Sequence, residues 1–206
     1  LVIPNFQADP VGEMLVGGLD VIADHLGEDG SIFLAHCPER AIPGAALREI
    51  AENERIIGGL CPTASEMAAA LYRRISRARL NITDARTAEL CKLAKNAWRD
   101  TTIAFANELS LICQELGVDV WRLINLANRH PRVDIPRPGP GVGGHCLAVD
   151  PWFLVDAAPG CTDFIQAARL RNDAMPELTA DRIEQALAHL SRPAKIACLG
   201  LAYKPD

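Results

Sequence analysis

Between Thr83 and Leu116 the chain carries neither proline nor glycine, and alanine, leucine, lysine and glutamate dominate the stretch. Those residues lose little side-chain freedom in a helix, and the two residues that break one are missing. About thirty helical residues span roughly 45–50 Å at 1.5 Å per residue, longer than one small domain needs. The stretch, 83–116, is expected to be a spine that joins domains and pairs two copies of the chain. It opens at Thr83-Asp84-Ala85-Arg86 and stops at Gly117.

The flanking segments read differently on the two sides. Before the spine, Ser31 to Ala35 is a short apolar run expected as a buried strand, followed by a loop at Pro38 and Pro43-Gly44. Glu54 to Ile57 reads as a strand closed by Gly58-Gly59. Pro62 opens a helix to about Arg77, and Ala78 to Ile82 reads as another strand. These fit the C-terminal part of an α/β sheet. After the spine, Asp119 is expected to cap a helix through Ala127. Residues 129–149 form a Pro/Gly-rich loop, Pro151 restarts a helix, and 162–190 is largely helical with Pro176 kinking or dividing it. Lys195 to Gly200 reads as a new strand ending in a glycine turn. The chain starts at Leu1 in mid-pattern, so it is expected to be a piece of a longer protein.

A chain of 206 residues with 49% hydrophobic and 23% charged residues is expected to bury a packed core. The net charge of -5, without any Lys/Arg block, argues against a nucleic-acid partner. No apolar run approaches the ~20 residues of a membrane span, and no signal peptide is visible. The seven cysteines are scattered and make no Cys-x-x-Cys pair, which supports neither a zinc site nor a disulfide framework and suits a reducing cytoplasm. His36-Cys37 and His145-Cys146 are adjacent pairs, which do not easily both face one ion, so no metal is expected.

Chemistry concentrates in Gly139-Pro140-Gly141-Val142-Gly143-Gly144-His145-Cys146, with Asp150 following. Glycines free the backbone for close approach to a ligand, and a lone cysteine delivered by such a loop suits nucleophilic attack. The competing reading is a buried, inert cysteine. His145 either lowers the thiol pKa, donates to a substrate, or packs. Lys92, Asn96 and Arg99 share one helical stripe: either a solvated face, or a lysine placed as base or oxyanion partner. Glu39 and Arg40, in Cys37-Pro38-Glu39-Arg40, follow the first strand, where open α/β sheets place ligand groups; a loop salt bridge is the alternative. Arg129-His130-Pro131-Arg132 suits a diphosphate or is a surface turn.

In this order, these segments resemble the UDP-glucose/GDP-mannose dehydrogenase family. The match runs from Cys37-Pro38-Glu39-Arg40 through the Lys92 helix and the glycine–cysteine loop to Gly200-Leu201-Ala202-Tyr203-Lys204-Pro205. Gly-Gly-His-Cys, Val-Asp-Pro-Trp and Leu126-Ala127-Asn128-Arg129-His130-Pro131-Arg132-Val133 look like its UDP-N-acetylmannosamine branch. The resemblance implies a remnant of a Rossmann-like sheet over 1–82, the end of an NAD-binding domain. It implies a mostly helical central domain over 83–192 and, over 193–206, the start of a second Rossmann-like, UDP-binding domain.

It further implies a four-electron, NAD-dependent oxidation of a UDP-sugar at C6 to the uronic acid, in surface polysaccharide biosynthesis, by a cytoplasmic homodimer. Cys146 would form a thiohemiacetal and then a thioester. Lys92 would be the proton donor and oxyanion partner with Asn96 beside it, Glu39 would assist hydrolysis, and Asp150 would order water and lysine. Arg40, Ala41, Arg99, His130, Arg132, Gly143, His145, Tyr203 and Lys204 would hold the nucleotide sugar, Arg132 reaching a neighbouring copy's site.

The family's Gly-x-Gly-x-x-Gly dinucleotide loop is expected to precede residue 1, which leaves the residues contacting NAD unassigned. Residues before about 28 match the family poorly. A second reading therefore stands beside the first, a non-catalytic remnant that assembles through the long helix or binds a nucleotide sugar.

Overall fold

The computed structural model describes residues 2–3, 33–38, 45–190 and 195–198. The chain divides into two compact units, Leu1–Ala94 and Lys95–Asp206.

The first unit is built on a four-stranded sheet in the order β1 (Val2–Ile3), β2 (Ala35–His36), β3 (Arg55–Gly59), β4 (Leu80–Asp84). Strands β1 and β2 run parallel, β2 and β3 antiparallel, and β3 and β4 parallel, with Arg55 opposite Leu80 and Gly59 opposite Asp84. Helix α1 (Ala46–Glu52) precedes β3, and α2 (Pro62–Tyr72) crosses over from β3 to β4. Ala68, Ala69 and Tyr72 of α2 close over Ala35, Cys37 and Ile57, so small alanines let the helix lie close to the sheet. Arg55 is buried with its guanidinium 4.6 Å from the Tyr72 ring centre.

Several boundaries differ from the sequence expectation. Of the strand expected over 31–35, residues 31 and 32 lie outside the described residues; β2 is described at Ala35–His36, where Ala35 faces Gly59 and His36 faces Gly58. Leu34 accepts the Leu60 N–H at 3.0 Å. Helix α2 ends at Tyr72 instead of near Arg77. Beyond Tyr72 the backbone turns to the end of α1, where the Arg77 N–H donates to the Ala51 carbonyl at 2.8 Å. Strand β4 runs on to Asp84, so the long helix starts two residues later than Thr83.

That helix, α3 (Ala85–Glu115), has 31 residues, begins in the first unit and continues in the second. Asp84 fixes its start. The carboxylate accepts the Thr87 N–H at 2.8 Å and the Thr87 hydroxyl at 2.7 Å, and these bonds hold its pKa below the usual range. Gly117, at φ 65°, ends it in a Schellman turn: the Val118 N–H reaches the Cys113 carbonyl and the Gly117 N–H the Gln114 carbonyl.

In the second unit, Asp119 caps α4 (Val120–Ala127) as expected, accepting from the Trp121 and Arg122 N–H groups. An irregular loop leads to α5 (Asp150–Ala157); a 3₁₀ turn (Pro159–Cys161) then precedes α6 (Asp163–Leu187). Pro176 lies inside α6 without dividing it. It lacks the N–H that would bond the Asn172 carbonyl one turn back. The buried set mixes Ala104, Ala106, Cys113, Ile124, Ala168 and Met175 with the polar Asp100, Asn107, Arg169 and Asn172. Lys195–Cys198, expected as a strand, are exposed and show no strand pairing among the described residues; nothing there covers their apolar side chains. The rest of that expected strand lies outside the described residues.

Candidate active site

Pro151 stands in the first turn of helix α5, where its missing N–H is not needed. Asp150, the first residue of α5, is 5% exposed, and a carboxylate at a helix N-terminus is favoured by the helix dipole. Its Oδ2 accepts from the Asn96 side-chain amide at 2.6 Å, which ties α5 to α3. The Asp150 and Val149 N–H groups both donate to the Cys146 carbonyl, at 2.8 and 3.0 Å. Cys146 therefore sits on the turn that starts α5, with its side chain exposed. The structure thus brings Cys146, Asp150 and Asn96 together in the second unit.

His145 is exposed, which removes the packing reading for it, and Gly143 beside it is exposed too. Gly144 has φ 94° and Gly141 φ 136°, conformations that favour glycine. His130 and Arg132 are exposed on the turn after α4. The Arg132 N–H donates to His130 Nδ1 at 3.3 Å, so a neutral His130 carries its proton on Nε2, as a donor. The Asn128 side chain braces this turn by exchanging two bonds with the Ile135 backbone.

Lys92 belongs to the first unit, half-buried on α3. Buried His36 and Glu89 feel its charge. Burial first, and Lys92 second, push the His36 pKa down; burial pushes the Glu89 carboxyl up, and Lys92 pulls it back. Glu39, Arg40, Ala41, Tyr203 and Lys204 lie outside the described residues. Of the remaining thiols, Cys37 and Cys113 are buried, Cys91 is half-buried, and Cys61, Cys161 and Cys198 are exposed. No cluster of metal-ligating side chains occurs among the described residues.

Of the stripe expected on α3, Lys92 and Asn96 are half-buried. Arg99 is exposed, whereas Asp100, one full turn after Asn96, is 1% exposed and Asn107 is fully buried. Buried polar groups continue along α3 beyond Asn96. Asp100, Asn107, Arg169 and Asn172 were not read from the sequence. The available signal was their spacing, one polar residue per one or two turns on the inner faces of α3 and α6.

Among the described residues, a strand–glycine–helix turn occurs at β3–Gly58-Gly59–α2. A Cβ on Gly58 would lie 2.3 Å from the Asp84 carbonyl oxygen, and one on Gly59 would lie 2.4 Å from the Ser65 nitrogen. The Ser65 hydroxyl accepts the Gly59 N–H at 2.8 Å. The chain itself packs against both glycines and the Gly59 N–H already has its acceptor, so this turn does not fit NAD.

Residues 86–174 match the model of the UDP-glucose/GDP-mannose dehydrogenase family, central domain. The chain is 59% identical over 181 residues to an NDP-N-acetyl-D-galactosaminuronic acid dehydrogenase of Ralstonia solanacearum, covering 88% of this chain and 43% of the relative. It is 52% identical over 187 residues to a UDP-N-acetyl-D-mannosamine dehydrogenase of Yersinia pestis, covering 87% and 44%. Among solved structures, it superimposes on a UDP-D-ManNAc dehydrogenase from Pyrococcus horikoshii with a TM-score of 0.77 and 41% identity, over 88% of this chain and 44% of that one. The chain spans less than half the length of the curated relatives it matches.

Proposed function

We infer that this chain, whose residues 86–174 belong to the UDP-glucose/GDP-mannose dehydrogenase family as its central domain, is the thiol-bearing part of a UDP-sugar 6-dehydrogenase. The substrate proposed is a UDP-2-acetamido sugar, UDP-N-acetylmannosamine first. It is oxidised at C6 to the uronate, with two molecules of NAD consumed as hydride acceptors. The observation that carries this reading is the placement of Cys146: an exposed thiol on a glycine-freed turn, hydrogen-bonded through its backbone to Asp150, which Asn96 holds.

The chain's own residues have distinct tasks. The Cys146 sulfur adds to the C6 aldehyde: an S–C bond forms, the C=O π bond breaks, and the thiol proton ends on oxygen. Oxidation leaves a thioester; water then adds to its carbonyl, the C–S bond breaks, and the thiolate leaves. Asp150 orients that water, and Asn96 fixes the carboxylate that does so. Lys92 carries the proton to and from the oxygen and steadies its negative charge. Glu39 assists hydrolysis. Arg40, Ala41, Arg99, His130, Arg132, Gly143, His145, Tyr203 and Lys204 hold the nucleotide sugar, with the His130 Nε2–H donating to a phosphate or sugar oxygen.

We assign 1–82 to the end of an NAD-binding domain, 83–192 to the central domain and 193–206 to the start of a UDP-binding domain. The protein is proposed to be cytoplasmic; no helix among the described residues is long and apolar enough to cross a membrane. Trp98, Phe105 and Ile112 recur every seventh residue on α3 and are exposed, which supports pairing of two copies through the long helix.

The test is a side-by-side assay of the full-length protein with UDP-N-acetylmannosamine, UDP-N-acetylglucosamine and UDP-glucose. Two NADH per sugar with the first substrate and little with UDP-glucose are expected; NADH from UDP-glucose alone would overturn the substrate reading. The 206-residue chain alone is expected to form no NADH.

A further inference from the structure

The loop bearing Cys146 has a structural cost. Gly139, Gly141, Gly143 and Gly144 give it more backbone freedom than any other stretch of this length in the chain. Among its described residues, no backbone–backbone bond joins residues 139 to 145 to anything. Yet the chemistry proposed above needs the sulfur held within a fraction of an ångström of a carbonyl carbon. Something under the loop must supply that order.

A continuous run of buried polar groups lies there. The Gly139 N–H donates to Asn107 Oδ1 at 2.8 Å. The Asn107 Nδ2 donates to Asn172 Oδ1 at 2.8 Å. The Asn172 Nδ2 donates to the Asp100 carbonyl oxygen and to Asp100 Oδ1, both at 2.9 Å. Arg169 makes a short ion pair with the same Asp100 Oδ1. The same Arg169 Nη1 lies 3.5 Å from the Leu147 carbonyl oxygen, and its Nη2 is 2.7 Å from Asp173. The run therefore leaves the loop at Gly139, passes through α3 and α6, and returns at Leu147, the residue after the thiol.

The direction of every link is settled by the two ends. A backbone N–H only donates, so Gly139 faces the oxygen of Asn107; that turns the Asn107 amide nitrogen toward Asn172. The Asp100 carbonyl only accepts, so Asn172 turns its nitrogen there and its oxygen toward Asn107. Each amide is correctly oriented for both neighbours at once. All four side chains are at most 1% exposed. The middle of the loop is seated as well: a Cβ on Gly141 would lie 3.2 Å from Pro176 Cγ and 3.4 Å from the Asn172 carbonyl oxygen, which Pro176 leaves without its helical donor. Gly141 lets the loop lie flat on that break.

We propose that Asn107, Asn172, Asp100 and Arg169 form a buried clamp that positions the Cys146 thiol by gripping its loop on both sides. They are positioning residues and touch no reacting atom. The proposal rests on the thiol role given above, and it makes a prediction about partitioning, because the first oxidation needs no thiol and the second does. A loosened thiol fails to catch the aldehyde.

In the full-length protein, Asn107→Ala and Arg169→Lys are expected to lower kcat about 10- to 100-fold at unchanged KM, the scale of a misplacement of about 1 Å. NADH per sugar should fall from two toward one, with free aldehyde trapped as its hydrazone. A variant that is slower yet still gives two NADH per sugar and no trapped aldehyde overturns the positioning role, since a loss of folded protein lowers rate without changing stoichiometry. In the unmutated protein, the Gly139 amide is expected to exchange its hydrogen at least ten-fold more slowly than Val142 and Gly143, after correction for intrinsic rates. Equal exchange overturns the clamp without any variant. Absence of NADH from the unmutated protein with every UDP-sugar overturns the functional reading, and the exchange result judges the clamp separately.

Discussion

Two segments of this chain look alike on paper. Gly58-Gly59-Leu60-Cys61-Pro62 and Gly143-Gly144-His145-Cys146, with Pro151 following, both place a cysteine two residues after a glycine pair and ahead of a proline-opened helix. Both cysteines are exposed. What differs is the ground beneath them. Gly58 and Gly59 are glycines because the chain already fills the space: Asp84, Ala88 and Ser65 lie within 2.3–2.6 Å of where a Cβ would stand. The second loop is glycine-rich so that its backbone can take positive φ and cross α6 at Pro176, above a buried polar run. One glycine pair is compressed by its surroundings; the other belongs to a loop freed from its own backbone and held from below. The first is glycine because of close packing; the second displays a thiol.

The largest expected effect separates the two cysteines. In the full-length protein Cys146→Ser should reduce uronate formation on the order of 10³-fold or more, because the acyl intermediate has no sulfur to form on. Cys61→Ser should leave turnover within about two-fold, as a surface change away from packing features does. Product analysis by mass spectrometry with an NADH count reads both; a normal NADH yield from Cys146→Ser would end the nucleophile reading, and a dead Cys61→Ser would mean the comparison is inverted.

Next in size come the glycines. Gly59→Ala drives a methyl into the Ser65 backbone nitrogen, 2.4 Å away, and displaces the hydroxyl that accepts the Gly59 N–H. Overpacking of this kind costs about 1–3 kcal/mol. Gly139→Ala meets nothing within 4 Å and should change stability by less than about 0.5 kcal/mol. Paired thermal melts decide this: equal losses at the two positions would show that the second loop is as tightly packed as the first.

Much of this was legible in the sequence because it was local. The missing prolines and glycines of 83–116, the Asp119 cap and the Gly117 stop each act within one turn, and each appears within two residues of where it was expected. The thiol loop was legible for the same reason. The failures were all failures of distance along the chain. Asp100, one turn after Asn96, carried no signal of its own in the sequence. Choosing Asp100 needed Arg169 and Asn172, more than sixty residues further on. The end of α2 at Tyr72 depends on an acceptor at Ala51. The clamp could not be read from any single segment, since each member is an ordinary polar residue in a helix until both helices are in place.

The smallest effect concerns a third thiol, which marks the inert extreme of the comparison. Cys37 is 1% exposed in the core of the first unit, and burial pushes its pKa up to about 11, against the pull of Arg55 and the Gly58 N–H. The ordinary value is 9.0, so in the folded chain this thiol keeps its proton at pH values where the unfolded chain has lost it. Below about pH 9 both states hold the proton and the difference contributes nothing to pH dependence. From pH 9 to about 11 the unfolded state gains a solvated thiolate that the folded state does not, so stability falls as pH rises through that window. Cys37→Ala should flatten this limb relative to the unmutated protein while lowering stability at neutral pH through the lost packing. Denaturant melts at pH 7.5, 9 and 10.5, about one and a half units either side of the thiol's ordinary value, provide the measurement. An alkaline limb equally steep in both proteins would place Cys37 in contact with water, and the contrast between a sealed sheet unit and an open thiol loop would fail at its most buried point.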